Sequence, residues 1–507
     1  MTAGAGEPAP IEPPSSRRPP PGRAPKEIAA DTGAATRAGT AILVSRLVIA
    51  AMGWVGSVIV ARSLSVDQWG EFSFVFVLLG LLSVVTDLGV GRVVLATLID
   101  NDPDETASTA ASFVALRTVL GVVGYLLAVG YVWVQGYPAE VLQATAIAGL
   151  VVVLATPGHA LSVLFQSRHR LTYVAVAESL GQAAQLALTI MAAILAPYLL
   201  IFVIPAVVNE LLALAVKVRG VHRVMPGIAL TRRIEVRRWR AMVREALPLA
   251  LGFGLTIALD KVDVLLLGVM DTFDSVGLYS IGYKFSDMMD TVSMAVVIPA
   301  STLLVAAWPD EPKVFRRRSR DAAIVLGLFG AVAVAAFVPS AGPLIRLLYG
   351  ERFGPATLAA QLLVIAASAT TLVILGLFLL PAAGKQRWYP GVALVCLALN
   401  VGLNLVLIPR MSYEGAAVAT VSTMFVMVVL LWFVVGRAVP IRGLLPVWQL
   451  LGLAVATALA ASVGQLMVMH TPVPWPVATV SAVVLVLALS QLLRLTDGIR
   501  LLHLGRG

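Results

Sequence analysis

Charge is scarce in this 507-residue chain: only 13% of its residues are Asp, Glu, Lys or Arg, about half the share in soluble globular proteins. Beside 59% hydrophobic residues, that scarcity excludes a large soluble core. Cysteine occurs once, at Cys396. An intramolecular disulfide is therefore excluded, and so is a metal site of Cys/His spacing. The five histidines are scattered. There is no phosphate-cradling G-x-x-x-x-G-K-[ST] loop, no nucleophile elbow, and no G-x-G-x-x-G opening a helix. The reading is of a protein that is not an enzyme and carries no metal or cofactor.

What is present are apolar blocks of about 20 residues, the length that crosses about 30 Å of hydrocarbon as a helix. Fourteen such stretches are read between residues 40 and 494. The expected fold class is an all-α polytopic membrane protein, with two six-helix lobes in parallel pseudo-repeat and two C-terminal helices. Residues 1–39, rich in Pro, Ala and Gly, form an expected disordered tail. The first lobe covers 40–219, a basic linker 220–245, the second lobe 246–437, and the last two helices with a tail 438–507.

A short repeat supports the duplication. Residues 67–73 read D-Q-W-G-E-F-S and residues 274–280 read D-S-V-G-L-Y-S. Asp67/Asp274, Gly70/Gly277, Phe72/Tyr279 and Ser73/Ser280 share one offset. Each copy follows a long apolar segment and is expected in an outer loop, its Gly and Asp shaping a tight turn. Two-lobed membrane proteins are most often transporters, with the substrate path between the lobes.

Basic residues orient the chain. With the N-terminus inside, 28 of the 37 Lys and Arg fall in inner segments and four, Arg62, Arg346, Arg352 and Arg410, in outer loops. This positive-inside bias places both termini in the cytoplasm of a multi-pass protein of the cytoplasmic membrane. The basic residues flank spans and face lipid head groups, so the net charge of +9 does not imply nucleic-acid binding. The stretch 234–244 is expected as an interfacial helix with Trp239 near the head groups.

Charges inside the spans each ask for a partner or a wet cavity. Arg46 and Asp87 lie at similar depth and could pair. Arg117 lies in the inner half of the third span. Glu178, Gln182 and Gln185 share one face of the fifth span, and Asn209 adds a polar group in the sixth. In the second lobe, Asp260, Lys261 and Asp263 precede Lys284, Asp287 and Asp290 on the next helix. Asp260/Asp263 and Lys284/Asp287, three residues apart, share faces. Lys284 is placed near the outer end, where snorkelling competes with a cavity role. Asn400 and Asn404 line one face of the eleventh span. Arg46, Arg117, Lys261 and Lys284 are the candidate anion-binding residues. Asp87, Glu178, Asp260, Asp263, Asp287 and Asp290 are candidates for coupling or charge balance, and Gln182, Asn209, Asn400 and Asn404 for a polar cavity.

Ordered sequence pieces then add a resemblance. They are R-S-L-S-V-D-Q-W-G-E-F-S from Arg62, D-L-G from Asp87, F-Q-S-R-H-R from Phe165, D-V-L-L-L-G from Asp263 and V-G-L-Y-S from Val276. L-L-Y-G-E-R-F from Leu347, N-L-V-L-I-P from Asn404 and E-G-A-A-V-A-T from Glu414 follow. Over about residues 40–494 the chain resembles the polysaccharide-transporter, or O-antigen flippase, branch of the multidrug/oligosaccharidyl-lipid/polysaccharide exporter superfamily. The arginine pattern of lipid II flippases is not evident. The resemblance implies a V-shaped cavity with alternating access. It also implies flipping of an undecaprenyl-diphosphate-linked oligosaccharide for surface polysaccharide or cell-wall glycan synthesis. Arg46, Arg117 and Lys284 best match, by placement, the positive residues proposed to hold the diphosphate. Membrane lipids, and glycan polymerases or glycosyltransferases, are the further partners it suggests.

Other readings stay open at this point. An ion-coupled multidrug-type exporter shares the fold but usually has twelve spans. A major-facilitator transporter would carry a basic loop after the second span, where Asp100–Glu105 is acidic. Short outer loops oppose a lipid-linked-sugar polymerase. A non-transporting component of a polysaccharide assembly complex is the last alternative.

Overall fold

The computed structural model describes residues 45–87, 89–100, 103–224, 234–305, 308–439, 441 and 443–495. The expected tail 1–39 and the middle of the basic linker lie outside the described residues. Among the described residues there are helices and turns but no strand. The helices of the first half are α1 (Ser45–Ser63), α2 (Val66–Asp87), α3 (Val90–Asp100), α4 (Pro103–Val134), α5 (Ala139–Ser167), α6 (Leu171–Leu195) and α7 (Leu199–Val224). Those of the second are α8 (Val236–Met270), α9 (Phe273–Val305), α10 (Pro312–Tyr349), α11 (Thr357–Ala382) and α12 (Tyr389–Ala438), with α13 (Val447–His470) and α14 (Trp475–Leu492) closing the chain.

Uninterrupted apolar runs favour helix because every backbone polar group is then satisfied within the segment. Eleven of the described helices are long and apolar enough to cross a membrane. α12 counts once, although it is 50 residues long. It reverses at Ser412, whose φ is 53°. A Cβ on Gly415 would lie 2.5 Å from the Leu407 carbonyl oxygen, whereas eight residues of straight helix span about 12 Å. The expected second span is likewise two pieces: α2 ends at Asp87, the chain turns through Gly89 at φ 63°, and α3 begins. Glycine takes that left-handed conformation without the Cβ penalty.

Within the first lobe α4 packs on α5, α5 and α6 on α7, and α2 on α4 and α5. Within the second, α9 and α12 pack on α11, α10 on α11, and α12 on α8. α13 and α14 pack on each other and on α10. Where the core sits decides the shape. One buried cluster joins both lobes, through Trp69, Phe74 and Leu78 of α2, Val264 and Leu267 of α8, Val276 and Tyr279 of α9, and Tyr349 and Phe353 near the end of α10. At the other end the core splits. Val90, Phe113, Leu161 and Phe165 belong to one cluster, and Leu259, Phe315, Leu379 and Val435 to another. The lobes are thus sealed together at one end, here the closed end. They part toward the other, which carries the basic turns.

The repeat forms the seal, and not as expected. Both copies are helical, in the first turns of α2 and α9, and neither is a loop. A Cβ on Gly70 would lie 1.8 Å from the Phe273 carbonyl oxygen, and one on Gly277 2.3 Å from that of Val66. Ser73 Oγ donates to Ser280 Oγ at 3.1 Å. The glycines serve a close helix crossing on a pseudo-two-fold axis, not a turn.

The linker also differs from expectation. α8 runs unbroken from Val236 to Met270, so the interfacial helix and the seventh span are one element. Its start packs on the first lobe: Met242 and Ala246 join the cluster of Phe113 and Phe165. Trp239 donates Nε1–H to the Ser112 carbonyl at 2.9 Å, so protein rather than head groups receives it.

Candidate functional site

The broken second span carries Asp87 to the lobe interface, toward the end where the cores part. Ending a helix in mid-bundle leaves carbonyl groups without partners. Arg117 of α4, 2% exposed, fills that need: its guanidinium donates to the Thr86 carbonyl at 2.6 Å and to Asp87 Oδ1 at 2.5 Å. A cation at the negative end of α2 also suits the helix dipole. Asp87 therefore pairs with Arg117, not with Arg46 as depth alone suggested. The break turns its carboxylate toward α4. Arg46 is exposed and makes no ion pair or hydrogen bond among the described residues.

Asp87 remains 64% exposed because its other side opens on a cavity of about 430 Å³. α3 contributes Arg92, α5 contributes His159 and Gln166, and α8 faces them with Ala250 and Gly254. The cavity lies between the lobes, on the side where their cores part. Small residues on α8 leave the room, and the opposite wall supplies donors. A cationic guanidinium and an imidazole beside a half-helix N-terminus suit an anionic group. Arg117 backs this wall and does not line it.

Beyond the cavity, Glu178 of α6 meets Lys217 of α7 at 3.5 Å, and Lys217 is 3% exposed. Asn209 donates to Gln185 at 2.7 Å. Gln182 lies against Gly53 of α1. These groups bind α1, α6 and α7 together.

In the second lobe the expected charges separate into two groups. Asp263 is 2% exposed and sits inside the lobe. It accepts from Tyr279 at 2.8 Å, from Asn404 Nδ2 at 2.7 Å and from the Thr420 hydroxyl. Asn404 also donates to Asn400 Oδ1 at 3.0 Å. The reversal of α12 brings Asn404 and Thr420 to one carboxylate. Asn400 Nδ2 and Asn404 Oδ1 are left buried without partners.

Asp260 parts from Asp263, despite the three-residue spacing, because α8 shows Asp263 to Tyr279 of α9 and to α12, and Asp260 to Tyr283 one turn further along α9. Asp260 pairs with Lys261 at 3.1 Å, and the Lys261 ammonium stands 4.2 Å from the centre of the Tyr283 ring. Tyr283 donates to the Asp260 carboxylate and accepts from Lys261. Lys284 is not near a helix end. α9 begins at Phe273, which sets Lys284 about 16 Å inside the helix, level with Lys261. Lys284 and Asp287 make no side-chain hydrogen bond or close ion pair among the described residues, although each lies in the other's field, and Asp290 keeps a buried Oδ1 without a hydrogen bond.

His159, Gln166, Arg92, Lys217, Tyr279 and Thr420 were not among the expected site residues. Arg92 follows the D-L-G break by three residues, and Thr420 ends the E-G-A-A-V-A-T piece. Both signals were in the sequence. His159, after Pro157-Gly158, carries no pattern that separates it from an ordinary helical residue.

Residues 35–305 match the model of a family described as polysaccharide biosynthesis protein. No curated protein sequence matches the chain. Among solved structures, the fold is similar to the lipid II flippase MurJ in an inward closed conformation (TM-score 0.69, 12% identity, 90% of this chain and 98% of that one). It is similar to an inward-facing multidrug resistance MATE family transporter of the MOP superfamily (TM-score 0.62, 11% identity, 78% and 98%). It is also similar to a MOP superfamily transporter from Pyrococcus furiosus (TM-score 0.53, 12% identity, 78% and 94%).

Proposed function

Because the chain belongs to the polysaccharide biosynthesis protein family, and its fold is that of multi-pass membrane transporters, we propose that it flips a lipid-linked oligosaccharide. The substrate is an undecaprenyl-diphosphate oligosaccharide, moved from the inner to the outer leaflet of the cytoplasmic membrane by alternating access. The observation that carries this reading is the cavity between the lobes, with Arg92 and His159 on one wall and the small residues of α8 on the other. A diphosphate cannot cross hydrocarbon unaided, whereas its prenyl tail need not leave it. Arginine offers forked donors for phosphate oxygens.

The architecture is fourteen crossings, with both termini and the basic turns in the cytoplasm. The closed end is then outside, and the cavity faces inward. Lobe one runs over 40–219, and lobe two from within α8 to 437. Lys261 and Lys284 form a second cationic step about midway through the membrane, balanced by Asp260, Asp287 and Asp290. Asp263, held among Tyr279, Asn404 and Thr420, is the coupling carboxylate for a proton or a metal cation.

The test is leaflet exchange of a fluorescent prenyl-diphosphate oligosaccharide by the full chain in vesicles. Arg92→Ala and His159→Ala should each slow exchange roughly tenfold to a hundredfold, since a hydrogen bond to a charged group is worth about 1.5–3 kcal/mol. Exchange no faster than in protein-free vesicles would sink the proposal. Intact exchange in both variants would move the head-group site elsewhere.

A further inference from the structure

The first turns of α10 form a second cationic site, remote from the central cavity. Lys313, Arg316, Arg317 and Arg320 recur at i, i+3, i+4 and i+7, which places them on one helix face. With Val314 they line an open surface hollow of about 410 Å³, all five residues being on α10. That is within the range of small-ligand pockets, about 300–1,000 Å³. Arg320 fixes one wall, donating at 3.3 Å to the Gly443 carbonyl and at 3.3 Å to Gln449 Oε1 at the start of α13. Ser319 adds a bond to the Leu444 carbonyl, also 3.3 Å. The α10–α13 junction is therefore built, and the cations project from an anchored frame.

Lys313, Arg316 and Arg317 have no carboxylate within ion-pair distance among the described residues, although Asp310 and Glu311 precede them. Three like charges gathered without a counter-charge repel one another. An anion relieves that repulsion.

Position selects the kind of anion. One turn beyond the basic face, α10 becomes apolar from Ala322 onward. On α13, Trp448 is 85% exposed and Leu451 52%. Exposed Trp marks the head-group level of a membrane helix. The hollow thus lies where a lipid phosphate would lie, with acyl chains able to run down the exposed apolar face of α13 beside it. We propose that this basic face binds the phosphate of an anionic membrane lipid, as clusters of basic residues beside membrane helices do. The site is independent of the flippase reading.

The experiment uses the full chain, purified in detergent and equilibrated with equal amounts of phosphatidylglycerol and phosphatidylcholine. Bound lipid is quantified by mass spectrometry. Wild type should retain phosphatidylglycerol preferentially. An Arg316→Gln/Arg317→Gln variant should lose about thirtyfold in that preference, roughly fivefold per basic side chain near the surface. Both residues are exposed, so the variant should stay monodisperse. Arg237→Gln/Arg240→Gln at the start of α8 should keep the preference. A second arm adds millimolar inorganic pyrophosphate to lipid-free protein and to the phosphatidylglycerol-loaded protein. Equal preference in wild type and the α10 variant overturns the proposal. Tight pyrophosphate binding that displaces the lipid also overturns it, by assigning the hollow to a soluble phosphate.

Discussion

Ser73 and Ser280 stand 207 positions apart in sequence and 3.1 Å apart in space, hydroxyl to hydroxyl, where α2 and α9 cross. Gly70 and Gly277, one turn earlier, remove the Cβ atoms that would strike Phe273 and Val66. The two halves of the chain thus meet through equivalent residues, and the crossing closes one end of the lobe interface. Transport by rocking lobes requires this crossing to open. A Ser73→Cys/Ser280→Cys pair is placed to form a disulfide on oxidation. The native thiol, Cys396, is buried and should not interfere. Oxidation should stop leaflet exchange and reduction should restore it. Unchanged exchange in a fully cross-linked sample would show that this end does not open.

Arg117 is an ion-pair partner and a helix cap at once. Replacing it with Gln leaves the Thr86 carbonyl and the Asp87 carboxylate short of a donor. Breaking a fully buried pair costs about 3–5 kcal/mol. Asp87 is largely exposed to the cavity, so the expected loss is smaller, on the order of 2 kcal/mol. Arg117→Gln should lower the melting temperature clearly, and Arg117→Lys should recover part of the loss. A Gln variant as stable as wild type would refute the capping role.

Much of this architecture was legible in the sequence, and the limits have physical causes. The apolar blocks and the repeat at one offset gave the helical class and the duplication, because burial in lipid constrains composition over whole segments. The role of Gly70 and Gly277 was not legible. A glycine in a D-x-x-G piece fits a turn as well as a close crossing, and only the partner helix decides. Asp87 was matched to Arg46 by depth along straight helices. The break at Gly89 redirects the carboxylate, and Arg117 reaches it from α4. The environment of Asp263 depended on the reversal at Ser412, which brings Asn404 and Thr420 together from 16 positions apart. No periodicity of an apolar run announces such a fold-back.

Glu235, just before α8, sits in water and tests the docking of that helix on the first lobe. Its carboxylate is held below the usual range, first by the hydrogen bond from Arg238 and then by that from Ser108. A carboxylate with a lowered folded-state pKa adds stability that is present above its unfolded pKa. That contribution is lost as pH falls through the lower, folded value. Docking of the α8 start should therefore weaken only on acidification, below the ordinary glutamate range near 4.5. Trp239, bonded to the Ser112 carbonyl, reports it. The fluorescence difference between wild type and Trp239→Phe should change with pH over that acid range, and Glu235→Gln should flatten the change. An identical acid transition in the Gln variant would assign the effect to another group.

Asp263 offers the sharpest separation between coupling and scaffolding. Three side-chain donors, from Tyr279, Asn404 and Thr420, converge on its oxygens, and the carboxylate has no basic partner within ion-pair distance among the described residues. Buried charge without a counter-ion is costly. Under the proposed function, this site would take up a proton or a small cation and release it as the lobes move. Asp263→Asn keeps the shape but turns one acceptor into a donor, which faces groups already donating. The variant should lose the response of leaflet exchange to an imposed pH or sodium gradient, by about tenfold or more, while substrate still binds at the central cavity. Thr420→Val, which removes one donor and keeps the charge, should weaken the response less. If the Asn variant follows the gradient as wild type does, Asp263 is structural and the coupling group lies elsewhere, with Asp290 and its unpartnered oxygen next in order.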